Sequence, residues 1–572
     1  MLHAAQATVL DGAIVVYTAI SARYDSLKEV PTSAREGVDR VAFLEEPQPS
    51  ETWRVLPLHA GFQDPARNAK IHKILPHVYF PNAQYSLWID GSVTIRFSFS
   101  VRRLIELYLA ECDLAVFQHR ERTCIYQEAG VCLQRRLDDP DVIWRQVCRY
   151  TQEGYPPNAG LAECPVVLRR HSAAVQAFNE AWWDEIVHGS KRDQLSFPYV
   201  ARKVGLRAYT FPGSIRDTPL FERGRHTVDH SQTPQFATQA PSERRVARSA
   251  PRGRTSRTIA FGPVRNTPSW NWVGLDTARE LSKYYNVVLY DALSPPPDCD
   301  VLFIIKRRPA DQFVIEAQKK QVQLVYCPVD AHTHHAQLVG DTDLFRACAM
   351  VLVHSERLLP LVRPYCDRAH FVEHHARFVT PMTDYRDNGF ILWTGACKYV
   401  PYLLRWLEHH PIDHEVRILT DIDNDRARQK ASMLAAEIRL PFEIARDTTS
   451  IMGHRIYRWT ERRQDEMMRA CKAALDVKMT EHFEQYYKPP TKAQQYIASG
   501  IPFAVNPDSY SAEYFRVRGF EVASLVDTTR WLSREYWEAT RIEAERLRVA
   551  TSIEVVGSRY RELIESLCDR PR

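Results

Sequence analysis

The chain has 572 residues, 45% of them hydrophobic and 25% charged, with a formal net charge of +5. This length exceeds what one hydrophobic core supports, so we expect roughly two to four domains of ordinary globular composition. A net charge this small for the size gives no support to a nucleic-acid-binding protein.

The cellular compartment is predicted from features that the sequence lacks. No apolar run reaches the roughly eighteen residues of a membrane-spanning helix. The stretch MLHAAQATVLDGAIVVYTAI has no basic region ahead of its apolar part, so it does not resemble a signal peptide. The twelve cysteines are scattered without a C-x-x-C pair, which favours reduced thiols over disulfides or a zinc site. A soluble cytoplasmic protein is therefore expected.

Residues 1–228 predict a mixed α/β domain. Its predicted strands are AIVVYTAI, YSLWID, CDLAVFQH and CPVVLRR, which are short apolar runs rich in β-branched residues. Helices are predicted at Ser100–Glu111 and Ser172–Ile186. This alternation of strands and helices is typical of an α/β fold.

Residues 229–257 predict a flexible basic linker. The stretch lacks hydrophobic periodicity and is rich in Ser, Thr, Pro, Gln and Arg. A solvated tether is the favoured interpretation. The alternative is peripheral contact of its arginines with an anionic membrane surface, at the inner face of the membrane.

Two Rossmann-like halves are predicted after the linker, over residues 258–383 and 384–572. Short β-rich runs alternate with helical stretches, starting at TIAFGP in the first half and at GFILWTGA in the second. Ligands of such sheets bind at the carboxyl ends of the strands, so the cleft between the halves is a predicted binding site. The chain is predicted to end in one long helix, Arg534–Cys568.

Asp90 directly follows a predicted buried strand, in YSLWIDGSV. A carboxylate in that position can hold a divalent cation such as Mn²⁺ or Mg²⁺, which prefers oxygen ligands and can bridge to a diphosphate. The alternative interpretation is a turn-forming acid that binds nothing.

Four sequence blocks surround Asp90 in a fixed order: YTAISARYDSL, RNAKIHKILPHVYFPNAQYSLWIDGSV, FQHRERTCIYQEA and WWDEIVHGSKRDQLSFPYV. Together they resemble the hexosyltransferase-like family formerly catalogued as a domain of unknown function, to which plant mucilage-related glycosyltransferases belong. The resemblance spans Val15 to Tyr209. It implies a GT-A-like fold and transfer of a sugar from a nucleotide-sugar donor.

The resemblance also implies roles for individual residues. Asp90 takes the position of the strand-end acid that grips the metal ion and the donor. Asp193 is the candidate for a base or an acceptor-orienting group, and His226 for a late metal ligand. The residues assigned to the donor are Lys70, Lys73, His77, Arg120, Arg192 and Gln194. Because residue 88 is a tryptophan and not a second acid, a metal-independent enzyme is the alternative to a site for Mn²⁺ or Mg²⁺.

The last predicted half contains FILWTGACKYVPYLLRWL and YYKPPTKAQQYIASGIPFAVNP. These runs resemble the strand, glycine loop and helix of GT-B retaining glycosyltransferases. In such folds a diphosphate lies against helix N-termini, where free amides and the helix dipole favour anions. The implied donor-binding residues are Gly395, Lys398, Lys488, Thr491, Lys492 and Gln495. The chain departs from the acids of that group at Gln495 and Tyr487, although glutamine can still hydrogen-bond a ribose hydroxyl.

Two further groups follow predicted strands. The first, in VDAHTHHAQ, comprises Asp330, His332, His334 and His335. Acceptor binding or ordinary loop histidines are the favoured interpretations, and a metal cluster is the alternative. Asp476 and Lys478 could end a strand beside the donor. The absence of a G-x-G-x-x-G motif argues against a dinucleotide cofactor.

The favoured hypothesis is a two-module glycosyltransferase that transfers sugars from nucleotide-sugars to a glycan or glycoconjugate acceptor in polysaccharide biosynthesis. Tethering two transferases would favour successive additions to one glycan. The alternative is a single active GT-A-like transferase with a non-catalytic GT-B-like module that binds glycan or nucleotide. Binding of nucleic acid through the arginines of the linker is disfavoured, because no basic surface is evident elsewhere in the sequence.

Overall fold

The structure is a computed structural model that describes residues 13–29, 37–96, 100–224, 257–265 and 267–568. The chain divides into two compact units, Met1–Ser249 (unit 1) and Ala250–Arg572 (unit 2). Apart from Arg257, the linker predicted at 229–257 lies outside the described residues. Within the described ranges, no helix combines the length and the apolar character needed to cross a membrane.

Unit 1 is built on a mixed sheet and a separate two-stranded pair. Its strands are β1 (Ala13–Ile20), β2 (Asp39–Leu44), β3 (Arg54–Pro57), β4 (Ala83–Ile89), β5 (Val93–Ile95), β6 (Leu114–Gln118), β7 (Ala162–Arg170), β8 (Tyr209–Phe211) and β9 (Phe221–Arg223). The sheet has the order β3-β2-β1-β4-β7-β6-β8, and β5 pairs with β9. β1 is parallel to β2 and β4, whereas β7 is antiparallel to β4 and β6. The predicted mixed α/β fold is confirmed.

The helices of unit 1 cover this sheet. Those described are α1 (Pro65–Ile74), α2 (Pro76–Tyr79), α3 (Val101–Tyr108), α4 (Ile125–Arg135), α5 (Pro140–Gln152), α6 (Ala173–His188) and α7 (Asp193–Val204). α1 begins where the side chain of Asp64 accepts a hydrogen bond from Ala66 N and Pro65 takes the first helical position. α7 ends at Gly205, whose φ of +72° suits a left-handed helix cap.

The chain leaves the core at the end of β4. The last five residues of this strand are buried, and the next residue is Asp90. The amide of Asp90 donates to Pro165 O, at 2.8 Å, and its carbonyl accepts from Val93 N, also at 2.8 Å. The turn between β4 and β5 therefore fixes Asp90 at the carboxyl end of a central strand.

The first half of unit 2 is a parallel sheet. Its strands are β10 (Thr258–Gly262), β11 (Asn286–Leu289), β12 (Val301–Ile305), β13 (Gln323–Cys327), β14 (Met350–Val353) and β15 (Ala369–Phe371), in the order β11-β10-β12-β13-β14-β15. Its described helices are a π-helical segment (Trp270–Asp276) that continues into α8 (Thr277–Leu281), then α9 (Asp311–Lys319), α10 (His335–Gly340), α11 (Thr342–Ala347), a 3₁₀ turn (Glu356–Leu358) and α12 (Leu359–Val362).

The second half repeats this plan. Its strands are β16 (Ile391–Gly395), β17 (Val416–Thr420), β18 (Ser450–Ile451), β19 (His454–Arg458), β20 (Ala473–Asp476), β21 (Phe503–Val505) and β22 (Ala523–Ser524). Their order is β18-β19-β17-β16-β20-β21-β22, and only the pairing of β18 with β19 is antiparallel among those described. The predicted pair of Rossmann-like halves is confirmed by these two sheets.

Helices surround the second sheet, and the last of them packs on the first sheet of unit 2. They are a 3₁₀ turn (Cys397–Tyr399), α13 (Val400–His409), α14 (Asp425–Glu437), α15 (Glu461–Ala470), α16 (Phe483–Tyr486), α17 (Thr491–Ala498), α18 (Tyr510–Arg516), α19 (Thr528–Trp531), α20 (Arg534–Ala550) and α21 (Ile553–Cys568). The ring of Tyr560 on α21 lies 6.0 Å from that of Phe303 on β12. The last helix therefore packs on the first half.

The prediction of one helix over Arg534–Cys568 is wrong, because the helix is broken after Ala550. Thr551 O accepts a hydrogen bond from Ala376 N, at 2.9 Å, so this carbonyl is used by another segment. The side chain of Ser552 then accepts from Val555 N, at 3.3 Å, and starts α21. A contact across the fold thus divides a stretch whose local sequence favours one continuous helix.

Candidate functional site

A buried ionic cluster in unit 1 joins α1 to the start of α7. Lys73 Nζ lies 2.6 Å from Asp193 Oδ2, and Lys70 Nζ lies 3.0 Å from Asp193 Oδ1. The three-residue spacing places both lysines on one side of α1. Lys70 and Lys73, which are two of the predicted donor residues, therefore contact the predicted catalytic residue Asp193, although it is distant in sequence.

The charges of this cluster stabilise one another. Burial would raise the pKa of Asp193, but Lys70 and Lys73 outweigh it and hold the pKa well below its ordinary value. Burial would lower the pKa of Lys73, but Asp193 and Asp90 outweigh it and the pKa is raised. The pKa of Lys70 is lowered, chiefly by burial. A carboxylate held by two ammonium groups is a weak base, so the geometry fits an anchoring role for Asp193 and does not fit the predicted base.

Asp90 is the open acid of the cluster. Its side chain is 39% exposed, compared with 8% for Asp193. Asp90 Oδ1 accepts a hydrogen bond from Trp88 Nε1, at 2.7 Å, and lies 3.5 Å from Lys73 Nζ. Asp90 is therefore accessible to a substrate, while its contacts with Trp88 and Lys73 hold the side chain in position.

The side chains around Asp90 do not fit a resident metal ion. A divalent cation needs several oxygen ligands together, and the described ranges contain no group of three His, Cys, Asp or Glu residues suited to a metal. The ammonium of Lys73 and the indole of Trp88 both contact Oδ1 of Asp90, so the described neighbours of this carboxylate are hydrogen-bond donors and cations. The other predicted ligand, His226, lies outside the described residues, and a requirement for Mn²⁺ or Mg²⁺ stays a prediction.

Arg192 and Gln194 flank Asp193 and bring a second network to the cluster. Arg192 Nη2 donates to Gln194 Oε1, at 3.3 Å, and lies 3.8 Å from Glu128 Oε1. Glu128 also accepts from Arg122 Nε, at 2.7 Å. Because the Arg192 side chain is 32% exposed, it presents a cation to solvent beside the buried lysines.

Two of the predicted donor residues have other surroundings. His77 Nε2 lies 3.7 Å from Glu180 Oε1, and burial lowers the pKa of His77. Arg120 is exposed after β6. The contacts seen in the described part of the chain do not join either side chain to Asp90, so their assignment to the donor stays a prediction.

A second cluster, in unit 2, lies at the end of β20. Lys492 Nζ lies 2.6 Å from Asp476 Oδ1, and Lys478 Nζ lies 2.7 Å from Asp476 Oδ2. Burial would raise the pKa of Asp476, but the two ammonium groups outweigh it and lower the pKa. Burial lowers the pKa of both lysines. One buried acid thus faces the buried cation of Lys478 and the half-buried cation of Lys492.

Lys488 adds a third cation to this cluster. Its pKa is lowered by burial and by Lys478, and its Nζ lies 4.8 Å from the centre of the Tyr399 ring. In the described part of the chain, Lys488 forms no ion pair with a carboxylate. Thr491 opens α17 beside it, and no side chain caps the first turn of that helix. Free amides and excess positive charge are the properties that bind a diphosphate.

The first half of unit 2 reaches this cluster through Asp330 and His374. Lys306 Nζ lies 2.7 Å from Asp330 Oδ1. Burial would raise the pKa of Asp330, but Lys306 and Lys488 outweigh it and lower the pKa. His374 Nδ1 lies 2.6 Å from Thr491 Oγ1. The cluster therefore lies in the cleft between the two halves, at the carboxyl ends of their strands, as predicted for such a fold.

Two buried histidines face each other in this cleft. The rings of His354 and His374 are 4.4 Å apart, and His354 Nδ1 donates to Val372 O, at 2.7 Å. Burial lowers the pKa of His354 to about 4 and that of His374 well below its ordinary value. Both rings are therefore neutral in the folded protein near neutral pH.

Three other predicted donor residues of unit 2 make contacts within the protein. Lys398 Nζ lies 3.2 Å from Glu484 Oε1. At Gly395, a Cβ atom would come within 2.5 Å of the Trp393 ring, so an indole already occupies the space that the glycine leaves. Gln495 is buried, and its amide nitrogen lies 3.6 Å from the sulfur of Met468 on α15. This contact gives no support to the prediction that Gln495 holds a ribose hydroxyl.

The histidines after β13 do not form a cluster with Asp330. His332 Nε2 lies 2.9 Å from Asp341 Oδ2, whereas His334 and His335 are exposed. Asp330 pairs with Lys306 instead. The described contacts therefore favour ordinary loop histidines over the metal cluster that was the alternative for this stretch.

Residues 35–213 match the family model described as TOD1/MUCI70, glycosyltransferase-like domain. The resemblance predicted for the first domain is confirmed over that range. We call residues 35–213 the TOD1/MUCI70-like domain. It includes the ionic cluster of Lys70, Lys73 and Asp193, together with Asp90 and Arg192.

Two curated proteins of Arabidopsis thaliana are similar to this domain. "Probable hexosyltransferase MUCI70" is 31% identical over 166 residues, which cover 27% of this chain and 28% of that protein. "Alkaline ceramidase TOD1" is 25% identical over 160 residues, which cover 26% of this chain and 35% of that protein. The chain thus spans 28% and 35% of the length of the curated relatives it matches. The two names describe different reactions on a shared domain.

Two of the solved structures that align with this chain are described as glycosyltransferases. AviGT4, described as a glycosyltransferase involved in Avilamycin A biosynthesis, aligns with a TM-score of 0.34 and 11% identity over 54% of this chain and 98% of that chain. WaaG, described as a glycosyltransferase involved in lipopolysaccharide biosynthesis, gives a TM-score of 0.33 and 10% identity over 54% and 99%. The fold of unit 2 is assigned from its own strand order.

Sequence reasoning missed two neighbours of Asp90, which are Tyr24 and Cys164. Tyr24 follows β1, is 39% exposed, and interacts electrostatically with both Asp90 and Arg192. Cys164 on β7 is buried, and burial raises its pKa, with Asp193 adding to this. An exposed ring can stack on a base or a sugar. The only sequence signal for Tyr24 was its place in the block YTAISARYDSL.

Buried His354 predicts a pH-dependent stability for unit 2. Because its pKa is about 4 in the folded protein and about 6.5 when unfolded, the unfolded chain takes up the proton first as pH falls. The contribution of neutral His354 to the unfolding free energy is therefore fully present above pH 6.5 and is lost as the pH falls from roughly 6.5 to roughly 4. In His354→Asn, the loss of unfolding free energy between about pH 7 and about pH 5 should be smaller than in the wild type.

Denaturant unfolding at both pH values measures this difference. His409→Asn is the matched control, because His409 is exposed on α13. An equal loss of stability in His354→Asn and the wild type would show that His354 does not contribute.

Proposed function

We propose that the chain is a two-module glycosyltransferase. Unit 1 transfers a sugar from a nucleotide-sugar donor, unit 2 holds a second donor site, and the acceptor is a glycan or glycoconjugate. The observation that carries the proposal is the open carboxylate of Asp90, beside a cationic cluster in the TOD1/MUCI70-like domain. A role in polysaccharide biosynthesis, a cytoplasmic location and peripheral contact with the inner face of the membrane belong to the same proposal.

In unit 1, an acceptor hydroxyl displaces the nucleoside diphosphate from the anomeric carbon of the donor. Lys70, Lys73 and Arg192 provide positive potential for the leaving diphosphate. Asp90 accepts a hydrogen bond from the acceptor hydroxyl, orients it, and takes its proton as the new glycosidic bond forms and the diphosphate leaves. Asp193 keeps the two lysine side chains in place, since it contacts both. Exposed Tyr24 offers a ring face for the base or the sugar.

In unit 2, the donor diphosphate is proposed to lie against the first turn of α17. Support comes from Lys478 and Lys492, which both pair with Asp476, and from Lys488, whose charge acts on Lys478. A doubly charged ligand would remove the repulsion among these three cations. The neutral ring of His374, bonded to Thr491, lies on the opposite side of the cleft.

Lys488→Ala is expected to weaken binding of UDP or GDP to unit 2 at least about tenfold, because a charge-assisted contact to phosphate is lost. Stability should change little, since in the described part of the chain this ammonium has no ion pair to lose. Isothermal titration of the full chain measures the affinity. Lys430→Ala, an exposed lysine on α14, is the matched control. Unchanged affinity in Lys488→Ala would remove Lys488 from the donor site.

A non-catalytic role for unit 2 is the second candidate function. Buried Gln495, which contacts Met468 where an acid was expected to face the donor, favours it. The two candidates differ in turnover. A binding module would bind the nucleotide in titration but would release none from nucleotide-sugars once unit 1 is inactivated by Asp90→Ala.

A further inference from the structure

A cavity of about 440 Å³ opens in the first half of unit 2. It is lined by the segments that follow β10, β11 and β12 and by one side of α9. The cleft between the two halves of unit 2 lies at this same edge of the sheet. Lys306 pairs with Asp330 in that cleft and is followed in the chain by Arg307, which lines the cavity. The cavity is therefore placed to hold the second substrate of unit 2.

One wall of the cavity is apolar. The rings of Tyr290 and Phe313 stack with their centres 5.4 Å apart, and Pro263 lies in the same wall. The hydroxyl of Tyr290 donates to Phe303 O, at 3.1 Å, so its polar atom is already bonded within the protein. What this wall offers a ligand is aromatic and aliphatic surface.

The lining of the cavity also contains cationic side chains. Arg265 and Arg307 line the cavity from two different segments, and burial together with the charge of Arg307 lowers the pKa of Arg265. In the described ranges, Arg307 forms no ion pair with a carboxylate. The third arginine, Arg308, is bonded to Asp343 and Asp311, at 2.6 Å each. Glu316, the acid of the lining, accepts from Gln312, at 2.9 Å.

Leu293 stands at the rim of this cavity and is 98% exposed. A fully exposed leucine beside a cationic opening suits an amphiphilic ligand whose apolar part extends out of the cavity. A ligand with a single carboxylate carries one negative charge, whereas two guanidinium groups from separate segments provide two positive charges. The planar donors of the guanidinium groups also match the oxygens of a phosphate.

We propose that this cavity binds the acceptor of unit 2 through a phosphate ester, with an apolar group of the acceptor against Tyr290 and Phe313. The inference rests on the proposed transferase function, because it takes unit 2 to have an acceptor. Arg265 and Arg307 hold the phosphate, and the aromatic wall holds the carrier. A membrane lipid phosphate and a soluble sugar phosphate share this chemistry, and the experiment separates them.

The test is titration of the full chain with octyl phosphate, glucose 1-phosphate and octyl glucoside as probes. Octyl phosphate is expected to bind to the wild type, and Arg307→Glu is expected to weaken it at least about tenfold, since a charge-assisted contact becomes a repulsion. Arg363→Glu, an exposed arginine of the same half, is the matched control and should bind as the wild type does. Because Arg307 is exposed, the variant should keep the thermal midpoint of the wild type.

The probes decide between the outcomes. Tighter binding of octyl phosphate than of glucose 1-phosphate, with both lost in Arg307→Glu, supports the site and identifies a lipid phosphate. The reverse order supports the site and identifies a sugar phosphate. Octyl glucoside binding as tightly as octyl phosphate, equal binding in Arg307→Glu, or no binding of either phosphate would overturn the proposal.

Titration of the same samples with UDP and GDP separates this proposal from the function on which it rests. Nucleotide binding should be unchanged in Arg307→Glu. If the wild type binds nucleotide but neither phosphate probe, only the acceptor proposal fails. If it binds octyl phosphate but no nucleotide, the donor role of unit 2 fails instead.

Discussion

Asp90→Ala is expected to reduce sugar transfer by unit 1 by roughly 100-fold or more, because the group that orients the substrate at the reacting centre is lost. Folding should be little affected, since the side chain is 39% exposed and its lysine neighbour keeps its bond to Asp193. Asp90→Asn, which retains an acceptor for the Trp88 indole, should lose nearly as much activity, because the negative charge is removed.

The measurement is nucleotide release from a panel of UDP- and GDP-sugars, with and without Mn²⁺. Asp113→Ala is the matched control, because the exposure of the Asp113 side chain, 34%, is close to the 39% of Asp90. Like Asp90, Asp113 lies beside a cation, with which it forms an ion pair (Arg170). Turnover by Asp90→Ala equal to that of the wild type would remove Asp90 from the mechanism. A loss of wild-type turnover without Mn²⁺ would show that a cation is needed, although the described side chains do not fit a resident one.

Asp193→Ala is expected to destabilise unit 1 by about 3–5 kcal/mol, because the buried ammonium of Lys73 and the half-buried ammonium of Lys70 would lose their shared partner. The Lys73 side chain is only 5% exposed, so water cannot replace the lost carboxylate. The activity of unit 1 should be lost as well, since both lysines would move. This combined effect separates Asp193 from Asp90, whose replacement should affect activity alone.

Denaturant unfolding followed by far-UV circular dichroism measures the change. Asp184→Ala is the control, because the Asp184 side chain is 70% exposed on α6 and its ion pair is with His188 on the same helix. A stability within about 0.5 kcal/mol of the wild type in Asp193→Ala would contradict the anchoring role, since that is the range of ordinary surface changes.

The parts of the fold that depend on local sequence were predicted well. The apolar run before Asp90 forms a buried strand, and the turn that follows places the acid at the carboxyl end of that strand, as expected. The alternating runs after residue 258 form two sheets whose described strand pairings are parallel, except that of β18 with β19. In each case short-range periodicity determines the element.

The contacts that define the two clusters could not be predicted, because they join segments distant in sequence. The sequence placed Lys73 and Asp193 in separate blocks and gave no sign that they pair, so Asp193 was interpreted as a base or an acceptor-orienting group and its contact with the lysines was not foreseen. The pairing of His374 with Thr491 across the cleft, and the break before α21 caused by Ala376, are of the same kind. Gln495 was assigned to a ligand, but in the fold its neighbour is Met468.

The most direct test of a chain with two donor sites is nucleotide release by the full-length wild type, Asp90→Ala, Lys488→Ala and the double variant, across the same sugar panel. Each single variant should lose release from one set of donors, and the double variant should release none. Release by the double variant at the wild-type rate, or no release from any donor by the wild type, would contradict the assignment.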